Sequence, residues 1–264
     1  MEFTHIAAQH GQWIATASQR AQPATVAAQV PAGYERYVRI LHPALDEEGR
    51  SHRWAEVARA TGETLHATSL FEDVARLDER GLPLDENSWV DSDLPGEELP
   101  TDQWQALTDH LIAATAQQRL ILGLWAGFAF IEGGERIDIE SAAESEADTE
   151  AHAAALAEAR RPGFSDEVLR APRLELPGGY RNYLLFDADH EFLAAPQWAT
   201  TAAGAQKQHP SIVFPTDHSW LLSTEPYDDS TIVGGSAALI DALCEDNRLE
   251  TLEVGELTRI GHSA

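Results

Sequence analysis

The stretch "STEPYDDST", residues 223–231, places Glu225, Asp228 and Asp229 close together beside Tyr227, Ser230 and Thr231. Grouped carboxylates do acid–base work when burial drives their pKa values apart, so that one ionises while its neighbour keeps a proton. These three are the candidate catalytic residues of a hydrolase. Aspartates in loops have a second use, because their side chains bond to nearby backbone amides and fix the turn. That structural use accounts for the composition at least as well and is the stronger expectation.

Downstream, "GGSAALIDALCED" sets Gly234, Gly235 and Ser236 before a helical run. Ser236 is expected as the helix N-cap, its hydroxyl accepting a first-turn N–H. Bare glycine amides at a helix start can also hold an anion, which makes Gly234, Gly235, Ser236 and nearby Trp220 candidate ligand-binding residues. A phosphate loop would carry a lysine in G-x-x-x-x-G-K-[ST], and this segment has none. Its acidic neighbours would moreover repel phosphate.

Upstream, "DADHE" puts Asp187 and Asp189 on one face of a strand end, where they could hold a hard cation such as Mg²⁺ or Ca²⁺. A calcium loop needs a glycine that "DADHEFLAA" lacks, so a polar turn is expected instead. The eleven histidines include no i, i+4 pair with a carboxylate between, as a zincin helix requires. His42, before Pro43, and His218, before Trp220, are expected at the surface or in caps. Neither a G-x-S-x-G elbow nor a G-x-G-x-x-G turn occurs. Cys244 is the lone cysteine, which excludes an intramolecular disulfide and a cysteine zinc site. Beside Leu239, Ile240 and Leu243 it is expected as a small core residue. No cofactor is implied.

Elements must position these groups. "GYERYVRILHPA" predicts a strand ended by Pro43, and "HRWAEVARATG" a helix closed by Gly62. "SLFEDVARL" predicts a helix with Ser69 and Glu72 as a capping box. In "TDQWQALTDHLIAATAQQ", Trp104, Leu107, Leu111 and Ile112 share one helical face, and "RLILGLWAGFAFIEG" predicts a buried strand. A strand centred on Tyr183–Phe186, two short strands in "SIVFPTDHSWLLSTE", the helix after Ser236 and a final strand in "LETLEV" complete the series. "PAGYERY" and "PGGYRNY" share P-x-G-Y-x-x-Y, with glycine supplying a positive φ before each strand. Strands and helices mix without regular βαβ spacing, so an α+β fold is expected, a mostly antiparallel mixed sheet with flanking helices. Residues 1–30 are expected as an N-terminal arm or helix ahead of one domain, 31–264. Its two halves, 31–131 and 173–264, could form similar lobes joined by the acidic and alanine-rich 132–172.

At 264 residues the chain can bury a substantial core. Its 18 basic and 44 acidic residues leave a formal net charge of −26. That field repels phosphate backbones and anionic membranes, so neither nucleic acid nor membrane is an expected partner. A solvated acidic surface is the plainest reading. Attraction to a basic protein partner comes next, and mimicry of nucleic acid last, because the acids are scattered. No secretory leader and no apolar run of about 20 residues is present, so the chain reads as cytoplasmic.

"FPTDHSWLLSTEPYDDSTIVGGSAALIDALCEDNRLETLEV" resembles the C-terminal block of a family of uncharacterised actinobacterial proteins. Their pattern runs W-P-x-D-x-x-W, then T-E-x-D-x-x-S-T-x-V-G-G-S, then a short helix and an L-E element. Phe214 replaces the first tryptophan, while Pro215, Asp217, Trp220, Thr224, Glu225, Asp228, Ser230, Thr231, Val233, Gly234, Gly235 and Ser236 match. "GYERYVRILHPA", "RWAEVA" and "LGLWAGF" are similar to further blocks in the same order. The resemblance implies one α+β unit and no particular chemistry. The expected function is non-catalytic protein binding of an immunity, antitoxin or regulatory type, with a metal-dependent or carboxylate-using hydrolase near Glu225, Asp228 and Asp229, and small-anion or ligand binding at the Gly234–Ser236 helix start, as the alternatives.

Overall fold

In "RLILGLW" the side chains alternate between two buried layers: Leu120, Leu122 and Leu124 enter one, Ile121 the other. A strand buried on both faces is apolar throughout, which is why this run shows no polar alternation. The structure, a computed structural model, describes residues 2–133, 157 and 160–260, apart from 47, 79, 90–94, 97, 117–118 and 202–203. Most of the acidic stretch expected as a linker lies outside the described residues.

The strands are β1 (Phe3–Ile6), β2 (Arg36–Leu41), β3 (Ala44–Leu45), β4 (Ser51–His52), β5 (Arg119–Trp125), β6 (Leu174–Glu175), β7 (Asn182–Asp189), β8 (Ala199–Thr201), β9 (Gly204–Gln206), β10 (Ile212–Pro215), β11 (Leu221–Ser223), β12 (Ser230–Gly235) and β13 (Thr251–Val254). Helices are α1 (Gln12–Ser18), α2 (Val26–Gln29), α3 (Trp54–Thr61), α4 (Phe71–Ala75), α5 (Thr101–Ala113), α6 (Ala129–Glu132), α7 (Asp166–Arg170), α8 (His190–Ala194) and α9 (Ala237–Glu245). Nine strands form one sheet in the order β1-β7-β5-β10-β11-β12-β2-β13, with β6 also on β7. Every pairing in it is antiparallel. The α+β expectation therefore holds.

One face carries α5 through Trp104, Leu107 and Leu111, and α9 through Leu239, Ile240 and Leu243. The other is covered by Ile14 and Ala15 of α1, Val26 of α2, and Val30. A third cluster joins α3 and α4 to the end of β2, where Trp54 and Phe71 meet Leu41. Strands of the two halves interleave: β1, β2 and β5 pair only with β7, β10, β12 and β13. The halves thus share one sheet instead of forming lobes. Residues 1–30 are likewise part of the domain, giving an edge strand and two helices packed on the sheet.

Local differences have local causes. Ser69 does not cap α4; its hydroxyl accepts from the His66 amide at 2.9 Å, and Leu70 takes the cap position. Strand β5 stops at Trp125, short of the expected length. Strand β7 runs directly into α8 without a turn, because Asp189 Oδ1 accepts from Phe192 N at 2.7 Å and caps the helix. Cys244 is exposed and not a core residue. As expected, Gly33 and Gly179, the glycines of the two P-x-G-Y turns, have φ of 114° and 81°. Gly234 and Gly235 instead lie within β12. There a Cβ would meet Tyr34 at 2.7 Å and Leu239 at 2.9 Å, so close packing requires these glycines, not a turn.

Candidate functional site

At one end of the sheet β5, β11 and β2 finish while β7, β10 and β12 begin, as the antiparallel order dictates. The loop from Thr224 to Asp229 crosses this end, closed by a bond from Asp228 N to Glu225 O at 3.1 Å. Its three acids reach three separate elements. Glu225 is buried with Arg181, whose Nε donates to Oε2 at 2.6 Å and whose second nitrogen donates to Oε1. Tyr183 donates to the same Oε2 at 3.0 Å and Ser223 to Oε1 at 3.3 Å. Burial and the neighbouring Glu225 carboxylate raise the Tyr183 phenol well above its ordinary value.

Asp228 accepts from Gln29 Nε2 of α2 at 2.6 Å. Burial above all, then the charge of Glu225, pushes its pKa up to about 7. Asp229 pairs with Arg39 at 3.0 Å and accepts from the Ser230 hydroxyl at 3.1 Å. Arg39 itself is fully buried, donates to Ser69 O at 2.7 Å, and lies 5.3 Å from the Trp54 ring. The acids thus bond to distant side chains, not to the adjacent backbone amides that loop chemistry suggested. An arginine within "RYVRIL", where both faces are buried, is the one signal that could have announced a buried partner.

Beside the loop lies a cleft of about 30 Å³, lined among others by Trp104, Trp125, Phe128, His209, Thr224 and Thr231. His209 stacks on Trp104 with centroids 4.1 Å apart and planes at 9°. Its amide donates to Glu98 Oε1 at 3.1 Å, while its buried Nδ1 has no hydrogen-bond partner. Behind the wall His42, expected at the surface, is fully buried. Burial lowers the pKa of His42 to about 4, and that of His209 likewise to about 4.

From Phe128 and Trp125, which line the cleft, aromatic rings follow one another to the surface. Phe128 is 5.4 Å from Trp125, Trp125 5.5 Å from Tyr227, and Tyr227 6.4 Å from Tyr180. Tyr227 is 69% exposed and Tyr180 50%. Tyr227 sits at φ 70°, a left-handed conformation that an aromatic residue adopts at a cost. Nothing in the spacing of these four residues marks them as neighbours.

The other candidates are engaged within the fold. Asp187 pairs with Arg119, and Asp189 accepts from the amides of Phe192 and Glu2. Among the described residues no group of three His, Cys, Asp or Glu side chains is placed to hold a metal ion. Trp220 is buried and donates to Thr115 Oγ1 at 2.9 Å. Ser236 caps α9 by accepting from Leu239 N at 3.3 Å. The amide of Ala237 already donates to Glu35 Oε2 at 2.7 Å, so a carboxylate stands where an anion would bind. Among the described residues no helix is long and apolar enough to cross a membrane. No family model, no curated protein and no solved structure matches the chain.

Proposed function

We propose that the protein is a non-catalytic binding protein, of an immunity, antitoxin or regulatory kind, that docks a basic segment of a protein partner at this end of the sheet. The run of rings from Phe128 through Trp125 and Tyr227 to Tyr180 carries the reading. Tyrosine and tryptophan concentrate binding energy because they present large rigid surfaces at little entropic cost. Strain at Tyr227 is met by ring contacts to Trp125 and Tyr180 while 69% of the residue stays exposed; docking would add packing to that open face. A formal charge of −26 favours a basic partner and speeds its encounter.

A panel of short basic peptides with and without aromatic residues, titrated by calorimetry and by tryptophan fluorescence, tests this. Binding that weakens with salt is expected. Replacing both Tyr180 and Tyr227 by alanine should cost about 2 kcal/mol or more, roughly a thirtyfold loss. Absence of binding at low salt, or equal binding by the double variant, removes the proposal.

One observation favours a second reading. Asp228, with its pKa near 7, could carry a proton for carboxylate-based hydrolysis beside Glu225. Asp229 would then hold Arg39 in place. Turnover of a chromogenic ester, phosphoester or glycoside that vanishes in Asp228→Asn and survives in Tyr227→Ala would put this reading first.

A further inference from the structure

The polarity of the cleft wall is set from behind. The carbonyl of Gly96 can only accept, so the His42 Nδ1 facing it at 2.7 Å must carry the ring proton. Nε2 is then bare and accepts from the Thr231 hydroxyl at 2.9 Å. With its proton committed, Thr231 Oγ1 accepts from Thr224 Oγ1 at 2.7 Å. The half-buried Thr224 hydroxyl is left with lone pairs alone to offer the cleft. Neutral His42 is required for this order, and its depressed pKa keeps it neutral at physiological pH.

The other lining groups have the same sense. Glu98 brings a carboxylate, and Trp104, Trp125 and Phe128 bring aromatic rings; among the described residues no lysine or arginine lines the space. Acceptors and π faces without a cation select a positively charged group that donates only. A volume of about 30 Å³, on the order of two water sites, excludes a nucleotide or sugar ring. Guanidinium meets these conditions better than ammonium: it is planar, weakly hydrated, and stacks on aromatic faces.

We propose that the cleft is a receptor for a guanidinium group, presented as one arginine side chain of the basic partner. This rests on the docking reading above, with Trp125 common to the aromatic face and the cleft.

The test uses the full chain, an arginine-bearing peptide that binds it, and the same peptide with lysine or citrulline in place of arginine. Methylguanidinium serves as the free probe, followed by the NMR signals of the His209 ring and Trp125 indole. The arginine peptide should bind roughly tenfold more tightly than either analogue. Thr224→Val should abolish that preference and Thr224→Ser restore it, with unchanged thermal unfolding confirming that both variants fold. Tyr180→Ala with Tyr227→Ala should weaken all three peptides alike. If the three peptides bind equally, or Thr224→Val keeps the preference, the guanidinium receptor is overturned while docking stands. If methylguanidinium shifts the cleft signals and the arginine peptide does not compete with it, the occupant is a small molecule and the assignment to a partner side chain falls.

Discussion

Arg181, just ahead of β7, and Glu225, just after β11, meet as a forked ion pair whose side chains are only 8% and 4% exposed. The pair holds the loop that carries Tyr227 against the turn that carries Tyr180. Removing one partner leaves the other charge buried and alone, which costs far more than the pair contributes. Glu225→Gln should therefore lower stability by about 3–5 kcal/mol in chemical denaturation. Tyr183→Phe removes one hydrogen bond and should cost about 1–2 kcal/mol. An Arg181→Met, Glu225→Leu double variant should recover most of the single-variant loss; if it is as unstable as Glu225→Gln, the pair is not the cause.

Asp228 has the opposite sign to an ordinary paired carboxylate. Its folded pKa, about 7, lies above the ordinary 3.8, so the folded state holds a proton that the unfolded chain has released. Stability from this group is greatest below pH 4 and falls as pH rises towards 7, beyond which the cost of the buried charge is fully present. Asp228→Asn should match the native protein near pH 4 and exceed it by about 1–3 kcal/mol at pH 8. Parallel melting curves for the two proteins across this range would disprove the assignment.

His42 and His209 work in the other direction. Both have folded pKa values of about 4 against an ordinary 6.5, so the unfolded chain takes up protons first on acidification. Their contribution is complete above pH 6.5 and is lost as pH falls towards 4. His209→Phe, which preserves a ring against Trp104, should flatten the acid limb of the stability profile. The change should amount to a few kcal/mol at about 1.36 kcal/mol per pKa unit. An acid limb unchanged by this substitution would count against burial of neutral His209.

Tyr227→Gly should raise stability and abolish docking together. Glycine adopts φ near 70° without strain, so relief of about 1 kcal/mol is expected, partly offset by the freer unfolded chain. A lower denaturation midpoint would mean that the ring is held by more than its partner.

Gly234→Ala should destabilise by about 1–3 kcal/mol through overpacking, since the added methyl meets Tyr34 at 2.7 Å and Val30 at 2.8 Å. Tyr34→Phe would not relieve it, because the clash is with ring carbon. Trimming Val30 to alanine in the same protein should recover part of the loss.

The central strands were legible because burial on both faces leaves nothing but apolar runs, as in Tyr183–Phe186. Phe3–Ile6 carried no such mark, being a four-residue edge strand with two polar residues and no fully buried side chain. Glu225, Asp228 and Asp229 stood out by density, yet their meaning depended on partners that local spacing does not reveal. Arg181 is 44 residues from Glu225 and Arg39 is 190 from Asp229. Thr231 and Thr224 stood in the same dense C-terminal stretch, but their order of donation follows only from His42 standing between Thr231 and a backbone carbonyl. His209 and Trp104 meet because the chain just ahead of β10 passes against α5, a tertiary arrangement with no local pattern.

The interleaved sheet also sets when the protein can come into being. Chain emerging from a ribosome through Trp125 holds β1, β2 and β5, three strands whose every partner in the sheet is still unmade. They must wait, exposed, for residues 182–254, and such long-range closure is slow and vulnerable to aggregation. Fragments 1–133 and 157–264 should each fail to fold alone, yet together hold every pairing of the sheet. Birth of this fold is a single late event, and chaperones that shield nascent strands are its natural attendants.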